Sequence, residues 1–248
     1  MKIAVIAASK NPLSVYGKSI LEKSLQSLAE QTYENWHLYL VNYGDLGESQ
    51  EIAKILPIKK VTILNLEETE GNQFTEALNL GLKTATEEFI ARHDLDDWSK
   101  PERFEKQIKF FEENPEVSLV GTMAEICGLD NRISQLKKPI PIWNHLDILR
   151  KVRACNPFVH GSVMFRRELV LDKVGYYDPS YSTAQDFDYW CRIMAESPVA
   201  NLEEYLYVWR DVKSSISRKN PGAGPKNKGI AITKWGRKLN RKLKELEK

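Results

Sequence analysis

The 248-residue sequence has no apolar run near the ~20 residues that a membrane-spanning helix needs. It has three cysteines, Cys127, Cys155 and Cys191, odd in number and far apart. That spacing excludes a disulfide framework and a cysteine metal knuckle, and makes a reducing cytoplasm the default compartment. No internal repeat is visible. The apolar start, Met1 to Ala8, is short and lacks the long apolar region and cleavage site of a signal peptide. It reads as a first strand.

Hydrophobic residues make up 42% and charged residues 28%, ordinary values for a soluble globular chain. The net charge of +2 hides an asymmetry. Residues 211–248 hold 12 Lys/Arg against 3 Asp/Glu, while residues 1–210 hold 24 against 31. An acidic body therefore carries a basic tail. The acidic body repels phosphate backbones and the tail has no recognised nucleic-acid motif, so no nucleic-acid partner is expected.

Apolar periodicity predicts strands at Ile3–Ala8, His37–Val41, Val61–Leu66, Phe89–His93, Leu119–Cys127 and Ser162–Phe165. Helices are expected at Ser19–Gln31, Ser49–Leu56, Phe74–Thr84, His145–Val152 and Arg167–Val174, with another beginning near Asp186. Ser99-Lys100-Pro101-Glu102 reads as a capping box opening a helix that runs to Asn114. Residues 130–158 are loop-rich, with Pro139, Pro141 and Pro157. Alternating strands and helices argue for βαβ units and a mostly parallel sheet. Asn220 to Pro225 has the composition of a linker.

The run Phe89-Ile90-Ala91-Arg92-His93-Asp94-Leu95-Asp96-Asp97 takes a short strand straight into three carboxylates. Anions that close repel unless a cation sits among them, and Mg²⁺ or Mn²⁺ accepts hard oxygen ligands shared with phosphates. Open α/β sheets also place ligands at strand ends. The bland alternative is a solvated loop or helix cap. A phosphatase that forms an aspartyl phosphate also begins with Asp-x-Asp, but it usually wants Thr or Val where Trp98 stands.

Several ordered segments now agree. Leu25 to Tyr33, Ala77 to Gly81, Phe89 to Asp97, Pro101 to Gln107, His160 to Arg167, Gly175 to Asp178, Gln185 to Arg192, and Trp209-Arg210 with Ser215–Ser217 together resemble the family 2 glycosyltransferases. The resemblance implies an α/β, GT-A-type (Rossmann-like) fold: a mostly parallel central sheet flanked by helices, with a C-terminal helical tail. It implies a catalytic domain over 1–217, with a nucleotide-sugar half at about 1–127 and an acceptor half at about 128–217. The linker and tail follow over 218–248. It implies an inverting transfer from a nucleoside-diphosphate sugar to a hydroxyl of a glycan or lipid-linked acceptor, assisted by Mn²⁺ or Mg²⁺.

Carried over by position, Asp96 is the expected metal ligand and Asp94 a nucleotide contact, with Asp97 able to exchange roles. Asn42, Tyr43 and Asn72 join them on the nucleotide-sugar side. Asp186 is the expected general base; His160 lies in the acceptor-side segment, where a packed polar residue is the alternative, and Asp188 is expected to be acceptor-binding or structural. Taken alone, Asp186 also reads as a helix cap. One departure stands out. The family's Val-Asp-Asp-Gly-Ser is Val41-Asn42-Tyr43-Gly44-Asp45 here, leaving an amide and a ring where two carboxylates are usual. A non-catalytic sugar-nucleotide-binding or partner-binding member of the same fold is the competing reading.

In the tail, Ile232, Trp235, Leu239, Leu243 and Leu246 share one helical face, and lysines and arginines occupy much of the rest. Such a helix suits either an anionic membrane surface, making a cytoplasmic enzyme peripheral to the bilayer, or a return onto the acidic body.

Overall fold

Side-chain alternation along the first strand sets the architecture. Ile3, Val5 and Ala7 enter one apolar layer, Ala4, Ile6 and Ala8 the other, and all six are buried. A strand covered on both faces belongs in the middle of a sheet. The computed structural model describes residues 1–67, 72–128, 133–138 (as strand backbone), 144–211 and 222–248. Pro139, Pro141, Ser215–Ser217 and the Asn220-Pro221 part of the expected linker lie outside the described residues.

In chain order the elements are β1 (Ile3–Ser9), α1 (Pro12–Tyr16), α2 (Lys18–Ala29), β2 (Trp36–Tyr43), α3 (Leu46–Ile55), β3 (Val61–Leu66), α4 (Gln73–Thr84) and β4 (Phe89–Arg92). Then come β5 (Trp98–Ser99), α5 (Arg103–Glu113), β6 (Leu119–Cys127), β7 (Ile133–Lys138) and α6 (His145–Lys151). A 3-10 turn (His160–Ser162) leads to β8 (Met164–Arg166), α7 (Arg167–Lys173), α8 (Gln185–Glu196), β9 (Val199–Arg210) and α9 (Ala223–Leu246).

The sheet order is β3-β2-β1-β4-β8-β6-β9-β5, with β7 paired to β6. β3, β2, β1 and β4 are parallel neighbours, as are β6 and β9. β8 runs against both β4 and β6, so it reverses between two groups that point the same way. This is the expected mostly parallel α/β sheet. The carboxyl ends of β1, β2 and β4 therefore open on one edge. One layer holds Leu21, Leu25, Phe104 and Phe111 from α2 and α5. The other holds Leu78 and Leu82 from α4 and Phe187 and Trp190 from α8.

Three local expectations change. Ser99 does not cap a helix; it pairs in β5 with Tyr207 of β9, and α5 starts at Arg103 without a side-chain cap. Sheet pairing there overrides the capping pattern. The short strand after His160 begins at Met164, because His160–Ser162 closes a 3-10 turn first. Ala223, Gly224 and Pro225 are not linker but the first turn of α9, where a proline is tolerated.

The tail is folded back. Ala231 and Leu239 are buried, and Ile232, Trp235 and Leu243 pack on the same apolar layer as α8, while Leu246 stays exposed. Lys234 meets Asp178 and Lys238 meets Glu196 across that contact. Leu239→Ala should therefore cost about 2–5 kcal/mol, the usual range for a buried leucine. Urea unfolding would show it as a lower midpoint with unchanged slope; an unchanged midpoint would mean a free tail.

Candidate active site

Strand alternation sets Arg92 and His93 on opposite faces of β4. His93 goes to the α2 side, where its ring nitrogens meet Ser24 Oγ at 2.9 Å and Ser99 Oγ at 3.3 Å. Arg92 goes to the α8 side and is fully buried. A buried guanidinium needs every donor matched. Arg92 bonds the Ile6 carbonyl, donates from Nε to His160 Nε2 at 3.2 Å, and holds Asp94 Oδ1 at 2.7 Å. Arginine Nε–H can only donate, so His160 Nε2 accepts and its proton sits on Nδ1. Burial, then the Arg92 charge, keeps that imidazole well below its usual pKa, hence neutral.

The acidic loop then turns back, with the Asp97 amide donating to the Asp94 carbonyl at 3.0 Å. Tyr207 of β9 pins the turn: its hydroxyl accepts from the Asp94 amide at 3.1 Å and hydrogen-bonds Asp97. Asp97 is 2% exposed, and its Oδ1 accepts from the Arg210 amide at 2.7 Å. Gly161 makes room for this arrangement. A Cβ there would fall 2.0 Å from the Tyr207 hydroxyl and 3.0 Å from Asp94 Oδ2. Asp94 and Asp96 remain partly exposed.

The acceptor-side segments reach the same place. Tyr177 lies 3.1 Å from His160 Nε2 through its hydroxyl, and it feels the charges of both Asp186 and Asp94. Asn79 of α4 fixes Tyr177 by bonding its amide and carbonyl at 3.0 and 2.9 Å. Asp186 is the second residue of α8. The residue capping that helix is Ala184, which makes no side-chain cap bond. Asp186 is thus not the helix cap; its Oδ2 accepts from Asn156 Nδ2 at 2.8 Å. A chain of contacts links Asp94, Arg92, His160 and Tyr177, and Tyr177 also feels the Asp186 charge.

The glycosyl transferase family 2 model matches residues 8–174. The chain belongs to glycosyl transferase family 2. It is 36% identical over 216 residues to the amylovoran biosynthesis glycosyltransferase AmsE of Erwinia amylovora, covering 84% of this chain and 77% of that protein. It is 33% identical over 196 residues to the O-antigen biosynthesis glycosyltransferase WbnJ of Escherichia coli, covering 75% and 72% respectively. Among solved structures it resembles S. aureus TarS 1-349 in complex with UDP-GlcNAc, with a TM-score of 0.66 at 18% identity over 87% of this chain. It also resembles the mannosyltransferase PcManGT from Pyrobaculum calidifontis in complex with GDP-Man and Mn2+, with a TM-score of 0.62 at 19% identity over 86% of this chain. The match spans 60% and 58% of those two solved chains, and at such identities it speaks to the fold, which is of GT-A type.

Within this family 2 member several expected contacts are taken up internally. Asn42 is 1% exposed and its amide is fully bonded. Oδ1 accepts from the Asn11 amide at 3.1 Å, and Nδ2 donates to the Asp45 carbonyl at 2.8 Å and Ser49 Oγ at 3.0 Å. It clamps the β1 and β2 loops rather than offering an edge to a base. Gly44 serves the same clamp: its φ is 151°, and a Cβ there would fall 2.1 Å from Asn11 Oδ1. Tyr43 is on the other face, 6.5 Å from the Phe74 ring. Asn72 caps α4 through the Thr75 amide and donates to the Tyr181 carbonyl. Asp188 is fully buried; Trp235 Nε1 and Arg192 Nε take its oxygens at 2.8 and 2.9 Å. It anchors α9, a structural use that removes it from acceptor binding.

Some site residues escaped the sequence reading. Asn156 carries no signal in a loop-rich stretch. Tyr16 lies in none of the motifs, yet its phenol accepts from Ser9 Oγ at 3.1 Å and is raised in pKa, first by burial and then by Asp96. Tyr207 lies in a strand whose pattern is broken.

The carboxylates fit a divalent cation. Asp96 is pushed up to about 6, first by burial and then by Asp94, against the pull of a backbone hydrogen bond and Arg210. Asp97 is raised well above its usual range by burial, Asp96 and Asp94. Among the described residues no three metal-binding side chains form a ready-made cage. Without metal, these raised carboxyls retain protons that the unfolded chain releases from about pH 4. Stability should then fall as pH rises from about 4 through 6. Denaturant titrations in EDTA should show this fall, and Asp96→Asn should flatten it; an equal slope in the variant would remove Asp96 as its source.

Proposed function

We propose that this chain transfers a glycosyl group from a nucleoside-diphosphate sugar to an acceptor hydroxyl, with inversion, as a hexosyltransferase in surface-polysaccharide or glycoconjugate synthesis. The observation that carries the reading is the contact chain from Asp94 through Arg92 and His160 to Tyr177, a residue that also feels the Asp186 charge. The named activities of AmsE and WbnJ support the polysaccharide context. The UDP-GlcNAc and GDP-Man held by TarS and PcManGT support the donor class.

In this reading Asp96, with Asp94 beside it, would hold Mn²⁺ or Mg²⁺. The ion supplies Lewis-acid neutralisation of the departing diphosphate. Arg92 holds Asp94 in place through their ion pair, and neutral His160 holds Arg92 without adding charge. Tyr43 and the clamp built on Asn42 shape the floor at the ends of β1 and β2. Asp186 takes the proton from the acceptor hydroxyl as its oxygen bonds the anomeric carbon and the sugar–phosphate bond breaks.

A panel of nucleotide sugars with Mn²⁺, read by nucleoside diphosphate release, tests the activity. Asp186→Asn should lower turnover by roughly 10²–10⁴ with donor affinity preserved. Asp96→Asn should abolish the metal-dependent activity while the protein stays folded. Collapse of donor affinity with normal turnover in Asp186→Asn would make it a binding residue. No turnover with any donor, alongside intact binding, would favour the non-catalytic reading.

The acceptor side includes a bilayer contact made by charge. Among the described residues no helix is long and apolar enough to cross a membrane. The apolar stripe of α9 is already packed on the body. The opposite face presents Lys226, Arg237, Arg241 and Lys244, all exposed. Each is worth about 1 kcal/mol near an anionic leaflet. The chain should sediment with anionic but not neutral vesicles and be released by salt. Arg237→Glu with Arg241→Glu and Lys244→Glu should abolish this without lowering the melting temperature. Equal sedimentation of the triple variant would remove this face from the contact.

A further inference from the structure

The loop before α8 is poorly self-supported. Ala184 holds a left-handed backbone, φ 58°, without being glycine. Its side chain gives the first turn of α8 no cap. Such a conformation persists only where the surroundings impose it. The surroundings include Asn72, whose amide reaches the Tyr181 carbonyl, and α9, which lies outside the residues matched by the family model. Asn227 Nδ2 reaches the Thr183 carbonyl at 3.0 Å, and Thr183 Oγ1 and Ser182 Oγ at 3.2 Å. Lys234 meets Asp178 Oδ2 at 3.4 Å, at the start of the same loop. The Lys228 ammonium lies 5.0 Å from the Phe187 ring. Trp235 Nε1 donates to Asp188 Oδ1 at 2.8 Å, within the first turn of α8 and two residues from Asp186.

We propose that Trp235 is a positioning residue for Asp186. Through Asp188, and with Asn227 holding the preceding loop, α9 sets the first turn of α8 so that the Asp186 carboxylate meets the acceptor hydroxyl. This rests on the reading of Asp186 as the general base. The tail is then part of the catalytic machinery rather than an appendage. Asp188 serves by orientation: its second oxygen is fixed by Arg192, so the indole N–H completes a two-sided hold on a buried carboxylate. A displacement of about 1 Å at a reacting group can cost on the order of 10²-fold in rate.

The test is Trp235→Phe, which keeps an aromatic ring and removes the N–H. Hydrogen exchange of the full chain should show faster exchange confined to residues 181–188. With UDP-GlcNAc or GDP-mannose and Mn²⁺, whichever the wild type turns over, kcat should fall by about 10- to 100-fold. Donor KM should stay within about twofold, since uniform donor binding is untouched. Ile108→Ala, in the opposite apolar layer, is the stability control and should leave kcat in place. Should Trp235→Phe fail to fold, Asn227→Ala carries the same expectations. Unchanged exchange at 181–188, unchanged kcat, or an equal loss in Ile108→Ala overturns the proposal. Asp186→Asn runs in parallel: if it turns over normally, the base reading fails. The exchange data then decide alone whether α9 holds the loop.

Discussion

One buried cation organises this site. Arg92 has no solvent access, so its charge must be matched within the fold. Its partners come from three separate stretches: the Ile6 carbonyl of β1, Asp94 of the acidic loop, and His160 of the turn before β8. Losing any of them would leave a buried charge or donor short of a partner, typically a cost of several kcal/mol. The fold therefore fixes the relative positions of the acidic loop and the acceptor-side turn. Arg103, also fully buried, repeats the device one layer away by donating to the Arg92 and Val163 carbonyls.

Around this hub two small features set the fine geometry. Gly161 permits Tyr207 and Asp94 to approach, and Tyr207 ties the loop amide to β9. Arg92 already holds one oxygen of Asp94, whereas burial and the Asp94 charge still raise the Asp96 carboxyl despite Arg210. The buried Asp97 is different, because the Arg210 amide already holds it. A loop that is braced beneath and carries a raised carboxyl at its surface suits a cation carried by a phosphate ligand.

Much of this was legible in the sequence. β1 to β4, with α2 and α4 between them, follow plain hydrophobic periods, and the acidic loop announces itself by charge density. Other features were hidden for physical reasons. β9 pairs with β6 through two register shifts, which leave Glu203 and Glu204 exposed mid-strand and break the two-residue period. Ser99 matched a capping pattern that tertiary pairing overrode. Asn42, Asn72 and Asp188 have side chains that bind ligands in one context and brace loops in another. Only their partners, Asn11, Tyr181 and Trp235, distinguish the two, and those lie 31 to 109 residues away in sequence.

The central claim is that Asp94 and Asp96 form half of a metal site completed by a nucleoside diphosphate. Its most direct measurement is Mn²⁺ binding by electron paramagnetic resonance, with and without added UDP or GDP. Binding free energies couple reciprocally, so the account predicts weak Mn²⁺ binding alone and binding about tenfold or more tighter with one of the two nucleotides. Mn²⁺ affinity that is the same with either nucleotide as with none would contradict it.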